Sequence, residues 1–456
     1  MFRDIFTIPE LRAKLFITLA LLVIYRMGTF VPIPGIATDQ VLALFNQYSE
    51  QSAGLGRMMG MINMFNGGAL TNASVFALGI MPYITASILF QILTTMMPAL
   101  KAMQKEGESG RRKINQYTRY ATLALCIFQS YVICAGLQSM EGGILVPNPG
   151  FFSFILVGMI CLTTGTMIVM WLGEMITEFG LGNGISIIIM AGIIAALPAG
   201  IAEFSKQLSD GSGTVNYGTL AFLIVFFCLV TIAIIYTTLG QRRIPIRQNR
   251  RAGVSNNNAR AQYLPLKVNM SGVIPIIFAQ AMIMFPGLLA SIPNLEAIGR
   301  YFAPGGVAYN VFYVGLIVFF AFFYTAMIFN PEEMSENMKQ GGTFIPGIRP
   351  GQETQSYFEG LLVRLTVVGA VVLAVIAIIP QILTFQFQIS FALAGIFGGT
   401  GLLIVVGVAL DLIQKVEGHQ FSKGFASMME SATPSGGGSS AKVIKSAPSS
   451  STEAGT

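Results

Sequence analysis

Long apolar runs alternate with short polar stretches along the whole chain. Ten runs stand out, at roughly 15–31, 72–97, 117–137, 151–172, 183–200, 218–239, 271–291, 308–329, 361–380 and 391–413. An α-helix rising ~1.5 Å per residue needs about 20 apolar residues to cross a ~30 Å hydrocarbon core. The runs have that length and lack the two-residue alternation of a half-buried strand, so each predicts a spanning helix. The first and fifth are thin at their edges, which predicts tilt or local unwinding there. The stretch Phe65–Gln91 departs from the plain pattern, with Gly67, Gly68, Gly79, Pro82 and the amide Gln91 in an apolar setting. Helix breakers survive in a span where neighbouring helices or cavity water satisfy the loosened backbone, so this stretch predicts a broken helix lining a cavity.

Composition agrees. Hydrophobic residues make up 53% of the chain and charged residues 11%, with mean hydropathy +0.67, against about 25% charged in a soluble domain. The class is an all-α polytopic membrane protein. The start, MFRDIFTIPELRAK, is polar and amphipathic, and no small-residue cleavage site follows the first run, so no cleavable leader is expected. Of 27 Lys and Arg residues, all but Arg26, Arg57, Lys206 and Arg300 fall on one side of the ten-span map. The positive-inside rule puts that side, with both termini, in the cytoplasm.

The loop after the sixth run, GQRRIPIRQNRRAGVSNNNARAQYLPLK, holds seven basic residues, more than topology requires. It reads as a docking surface for something acidic, with lipid headgroups or topology alone as the other readings. After the eighth run, Asn330-Pro331 stops a helix, and Gly341-Gly342, Pro346-Gly347 and Pro350-Gly351 predict a turned, rigid loop presenting Arg349. On the opposite side, the connection 32–71 contains the Met-rich stretch Arg57–Phe65, too short to span; by itself it reads as an interfacial segment. From about Ser431 the tail is Ser, Gly, Pro and Ala and predicts disorder.

Little in the chain points to chemistry. Spans two to ten are nearly free of ionisable residues away from their ends, and the one histidine, His419, lies beyond the last run. No metal set, serine dyad or paired aspartates appear within the runs, and no cofactor is expected. Cys126, Cys134, Cys161 and Cys228 lie in apolar runs without a CxxC pair and read as small buried hydrophobes. Gly180–Gly184 (GLGNG) follows no strand, which argues against a phosphate loop. A secondary transporter for a small solute is the alternative function, but such proteins commonly place charged residues near the midplane.

Six ordered blocks carry a family likeness: FNGGAL…FALGIMPYITASI (65–88), MWLGEMITEFGLGNGISIII (170–189), GQRRIP (240–245), LPLKVNMSGVIPIIFA (264–279), FIPGIRPG (344–351) and GGTGLLIVVGVALD (398–411). With them the chain resembles the SecY family, protein-conducting channels of the bacterial Sec translocase, up to about Phe425. The resemblance implies ten transmembrane helices in two inverted five-helix halves around a central pore, and no enzymatic activity. It implies a cytoplasmic arm at 1–14, a first half at 15–200 with a plug at 57–66, an external hinge at 201–217, a second half at 218–413 with cytosolic loops 240–270 and 330–360, and a tail at 414–456.

The resemblance assigns a pore ring of Ile80, Ile84, Ile185, Ile189, Ile277 and Ile404, and a plug including Arg57, Met61, Met64, Phe65 and Asn66, which replaces the interfacial reading. It places a lateral gate between spans two and seven, with Gln91, Asn269 and Phe285, and cytosolic docking at Arg242, Arg243, Arg250, Arg251 and Arg349. Implied partners are the small subunits SecE and SecG, the ATPase SecA, the ribosome, unfolded preproteins and anionic lipids; ribosomal RNA at the cytosolic loops is the one nucleic-acid contact. Phe179 stands where relatives often have a basic residue, Gly401 where they often have Ser, and 246–262 is atypically rich in Asn and Arg. These departures bear on partner docking. An uncharged aliphatic ring suits a path that must pass every side-chain type, because it binds none strongly and dewets when empty.

Overall fold

Each of the ten apolar runs carries a helix. The computed structural model describes residues 9–38, 40–41, 60, 63–139, 150–209, 217–248, 262–289, 306–387, 394 and 398–432. The helices are α1 (Pro9–Gly28), α2 (Met81–Met96), α3 (Pro98–Lys105), α4 (Glu108–Ser139), α5 (Leu156–Phe179, entered through a π-helical turn Phe151–Ile155), α6 (Gly184–Ser209), α7 (Tyr217–Leu239), α8 (Ile274–Leu289), α9 (Val307–Ile328), α10 (Pro331–Gln340), α11 (Gln352–Phe387) and α12 (Thr400–Ala432). Six helical stretches among the described residues are by themselves long and apolar enough to cross a membrane, and the pair α2 and α3, bent by 97°, has that length and composition only when the two are counted together. The molecule is thus an all-α polytopic membrane protein, with one small sheet outside its apolar helices. The chain to Ile413 forms one compact unit; a second begins at Gln414, where the backbone stays helical to Ala432.

Several boundaries differ from the sequence pattern. The second run does not become helix until Met81; residues 66–80 form successive turns. Gly67, Gly68, Gly79 and Ala73 have φ of 63°, 85°, 58° and 44°, left-handed values that no right-handed helix accommodates. The freed backbone is satisfied inside the protein: Gly68 N donates to Asn63 O and Ser74 N to Ala69 O, both at 2.9 Å. Residues 31–33 pair antiparallel with 73–75, where Ile33 N donates to Ala73 O and Val75 N to Val31 O, both at 2.9 Å. The extended Met97 ends α2, as expected before Pro98, which opens α3. Helix also occupies part of the expected hinge, since α6 continues to Ser209 through residues of good helix propensity; 210–216 lie outside the described residues. The arm likewise turns helical at Pro9, and the tail expected to be disordered from about 431 lies, beyond Ala432, outside the described residues.

The loop expected at 240–270 contains a hairpin. β1 (Gln241–Gln248) pairs antiparallel with β2 (Gln262–Lys267), from Gln241 opposite Lys267 to Ile246 opposite Gln262, and β3 (Thr343–Phe344) adds to its far end. Ile244 and Leu266 face inward and are buried, while Arg243, Pro245, Arg247, Tyr263 and Pro265 face outward. β1 has a single partner along 241–246, an edge position that tolerates Pro245.

Within the first compact unit, α1 packs on α5 and α6, α2 on α4 and α5, α4 on α5, and α5 on α6. Among the later helices, α7 packs on α11, α8 on α9, and α9 on α11; α2 and α8 meet across the two groups. The α5–α6 turn is tight: Gly184 N donates to Thr177 Oγ1 at 2.9 Å, and Thr18 Oγ1 of α1 accepts from Leu181 N at 3.1 Å. A Cβ at Gly184 would lie 2.0 Å from the Gly173 carbonyl oxygen, a backbone atom that yields only if α5 and α6 part. Gly184→Ala is therefore expected to destabilise the protein by about 1–3 kcal/mol, the usual cost of overpacking, seen as a lower unfolding temperature in detergent.

Candidate functional site

Four helices carry the ring candidates in their opening turns. Ile80 caps α2 and Ile84 follows one turn later; Ile185 and Ile189 lie in the first turns of α6, Ile277 in the first turn of α8, and Ile404 in the second turn of α12. Each helix starts where Gly or Pro breaks the preceding backbone: Gly79 and Pro82, Gly182 and Gly184, Gly272 and Pro275, Gly398 and Gly399. Ile80, Ile84, Ile189, Ile277 and Ile404 are buried in one continuous apolar cluster, with the partly buried Ile185 packed against it. Met64 and Phe65 belong to the same cluster. All six ring candidates and two of the plug candidates thus belong to one extended apolar cluster.

No charged side chain is buried among the described residues, and none of their His, Cys, Asp and Glu residues form a group able to hold a metal ion. One buried amide ties the cluster to the turn before α2. Asn66, 2% exposed, donates from Nδ2 to Ala77 O at 2.6 Å, and its side chain fills the space a Cβ on Gly79 would take. This ties the end of the plug candidate to the turn that sets Ile80.

The gate candidates behave differently. α2 and α8 pack together, but Gln91 and Asn269 do not bond each other. Asn269 Nδ2 donates to Gly272 O at 3.1 Å and its Oδ1 accepts from Ser271 Oγ at 3.3 Å, so it shapes the turn that starts α8. Gln91 Nε2 reaches Ser87 Oγ at 3.5 Å, while its Oε1 is buried without a partner. Arg57, Met61, Arg250, Arg251 and the side chain of Phe285 lie outside the described residues.

The cytosolic candidates Arg242, Arg243 and Arg349 are all exposed on one folded module. Ile244, Leu266, Ile345, Phe358, Leu361 and Leu365 form its own core, joining the hairpin, the loop after α10 and the start of α11. The loop carrying Arg349 is pinned at its backbone: Arg349 N donates to Glu353 Oε2 at 3.3 Å, and Thr354 Oγ1 and Ser335 Oγ donate to the carbonyls of Arg349 and Gly351 at 2.8 and 2.7 Å. Asn330 caps α10 by accepting from Glu332 N, so Asn330-Pro331 both ends one helix and begins the next.

Three polar contacts are not announced by the apolar pattern. Arg119 of α4 forms a bidentate pair with Glu174 of α5, at 3.0 and 2.7 Å. Tyr313 donates to Gln280 Oε1 at 2.9 Å between α9 and α8, both side chains buried. Arg26, at the end of α1, bonds the Gly67 carbonyl. Each is a polar residue inside or beside an apolar run, which was the available signal; its partner lies far away in sequence.

With this geometry in place, comparison with known proteins is direct. The SecY family model matches residues 74–413. The chain is 45% identical over 439 residues to the protein translocase subunit SecY of Escherichia coli K12, covering 94% of this chain and 96% of that one. A solved structure described as showing that the SecY plug domain stabilises the closed state and maintains a membrane seal superposes with TM-score 0.64 at 19% identity, over 93% of this chain and 95% of that one. Sec61 in the canine ribosome–channel complex from the endoplasmic reticulum superposes with TM-score 0.59 at 18% identity, over the same shares of the two chains. By sequence along nearly its whole length, the chain belongs to the SecY family of protein translocase subunits.

Proposed function

We propose that this chain is the central channel of a Sec translocase in a bacterial inner membrane, passing unfolded polypeptides across it and releasing transmembrane segments into lipid between α2 and α8. The observation that carries the reading is the shared apolar cluster of Ile80, Ile84, Ile189, Ile277 and Ile404, drawn from four helices and free of buried charge. Such a waist resists ions by dewetting and gives a passing chain nothing to bind. A Leu-rich segment gains about 0.3–0.6 kcal/mol per central residue by moving into lipid, whereas Asp, Lys or Arg costs about 2.5–3.5 kcal/mol, and a seam that opens sideways lets that difference sort the two.

Ten spans in two inverted halves find support in the packing, which repeats. The α1–α5, α2–α4 and α4–α5 pairs of the first half correspond in order to α7–α11, α8–α9 and α9–α11 of the second. Residues 57–66 act as the plug, with Met64 and Phe65 in the waist, and the domain limits are those the resemblance implies. The exposed basic face of the cytosolic module, with Arg242, Arg243 and Arg349, receives SecA or the ribosome. A ribosome-bound relative of the same fold supports the latter. SecE and SecG complete the membrane complex, and the driving force comes from the cytosolic partner, because the channel performs no bond chemistry.

A preprotein stalled midway by a folded carboxy-terminal domain tests this. Single cysteines at Ile84 or Ile404 are expected to crosslink to the stalled chain, and one at Val375, 59% exposed on the outside of α11, is not. Equal crosslinking at all three positions, or none at the waist, would refute the path.

A further inference from the structure

The segment that ends in the waist is held at its root from three directions. On one side Asn66 bonds Ala77 O at 2.6 Å. On a second, α6 comes so close that a Cβ at Gly192 would lie 2.5 Å from the Phe65 carbonyl oxygen, and one at Gly67 would lie 3.1 Å from Gly192 Cα. On the third, Nη1 of the half-buried Arg26 donates to the Gly67 carbonyl. The guanidinium is itself steadied over the Phe30 ring, 5.3 Å from its centroid.

These attachments differ in kind. The approach to Gly192 is packing of bare backbone, which slides without breaking a bond. Asn66 makes a neutral amide bond. Arg26 makes a charge-assisted bond, about twice as strong as a neutral one. Its place needs explaining, since it is one of four basic residues on the side the positive-inside rule depletes. A long side chain at a helix end ordinarily reaches for headgroups. This one reaches inward, to the residue where the backbone turns left-handed twice, at Gly67 and Gly68 with φ of 63° and 85°. Two successive glycines in that conformation are the natural pivot for what precedes them.

We infer that Arg26 is a positioning residue that fixes the root of the plug and so sets how firmly Met64 and Phe65 close the waist. The inference rests on the reading of 57–66 as plug. A channel lacking this bond opens more readily, leaks when idle, and accepts less hydrophobic segments, because less binding free energy is needed to displace the plug.

The test is halide efflux from vesicles holding the complete translocase. The chains compared are the parent, Arg26→Met, Arg26→Lys, a deletion of 57–66, and the deletion combined with Arg26→Met. Arg26→Met is expected to raise idle leak roughly tenfold, a change within reach of one hydrogen bond to a charged group. Arg26→Lys, which keeps a charged donor, is expected to recover part of the closure. The deletion is expected to leak, and adding Arg26→Met to it is expected to change nothing. A leaky deletion with a tight Arg26→Met overturns the inference while leaving the plug reading intact, as does an equal increment from Arg26→Met in the deleted chain. A tight deletion overturns the plug reading itself, and the inference with it. If Arg26→Met fails to assemble, Arg26→Gln takes its place: leak at the parental level with unchanged thermal stability refutes the inference, and added leak in the full chain with no added leak in the deletion background supports it.

Discussion

Substitution of Ile80, Ile84, Ile277 and Ile404 together by Asn is expected to raise the idle ion conductance of membranes containing the translocase by roughly tenfold or more, because an apolar constriction resists ions by excluding water. All four side chains are buried, from 0% exposed at Ile404 to 9% at Ile277. A buried amide without partners costs about 1–3 kcal/mol, so four amides within this apolar cluster draw water in with them. Once wet, the waist has lost its resistance to small ions. The matched control replaces the same four residues with Val, which costs about 0.5–1.5 kcal/mol per site but keeps the constriction apolar. That variant is expected to remain tight. Halide flux and planar-bilayer conductance both read the difference; equal leak from the Asn and Val variants would show that packing, and not polarity, seals the waist.

The second large effect lies in the module that carries Arg242, Arg243 and Arg349. Phe358 is fully buried and joins the start of α11 to Ile244 and Leu266 of the hairpin and to Ile345. Phe358→Ala removes a core aromatic at a cost of about 3–5 kcal/mol, and this small core has little else to absorb the loss. The basic residues Arg242, Arg243 and Arg349 then lose their fixed spacing. Partner-driven translocation is expected to fall at least about tenfold, while idle leak stays at the parental level because the waist has its own separate cluster. Trypsin reports the loosening independently: β1 carries exposed Arg242, Arg243 and Arg247, and pairing with β2 at the first two and with β3 at the third protects them until the module opens. Unchanged translocation with a protease-resistant hairpin would dismiss the module as a docking platform.

The helices were legible because twenty apolar residues in a row admit few other fates, and the broken start of α2 because Gly67, Gly68, Gly79 and Pro82 mark it; the isoleucines of the other helices were named by the family resemblance alone. The hairpin was not legible. Ile244 and Ile246 alternate with Arg243, Pro245 and Arg247, but over so few residues, and with prolines in both strands, the alternation is too brief to separate from a basic loop. Its partner strand and Phe358 are also supplied from elsewhere in the chain. The lead-in 66–80 illustrates the limit from the other side. Its glycines announced a break, whereas the left-handed Ala73 and the pairing of residues 31–33 with 73–75 depend on a segment forty residues earlier. The local work of Asn269 was hidden for a similar reason: its amide shapes its own turn, at Gly272 and Ser271, which the apolar pattern of the run does not announce.

The shortness of α2 has a consequence for what leaves sideways. Closed at Ile80 and at Met97, its 16 residues reach about 24 Å, less than the ~30 Å depth of hydrocarbon. The remaining wall is the turned backbone of 66–80, whose peptide groups acyl chains cannot satisfy. On the reading proposed above, the exit is therefore a slot of fixed height, open to lipid along the helical part alone. Emerging segments are gauged by their length as well as their greasiness, and bilayers of different thickness are expected to shift which lengths escape.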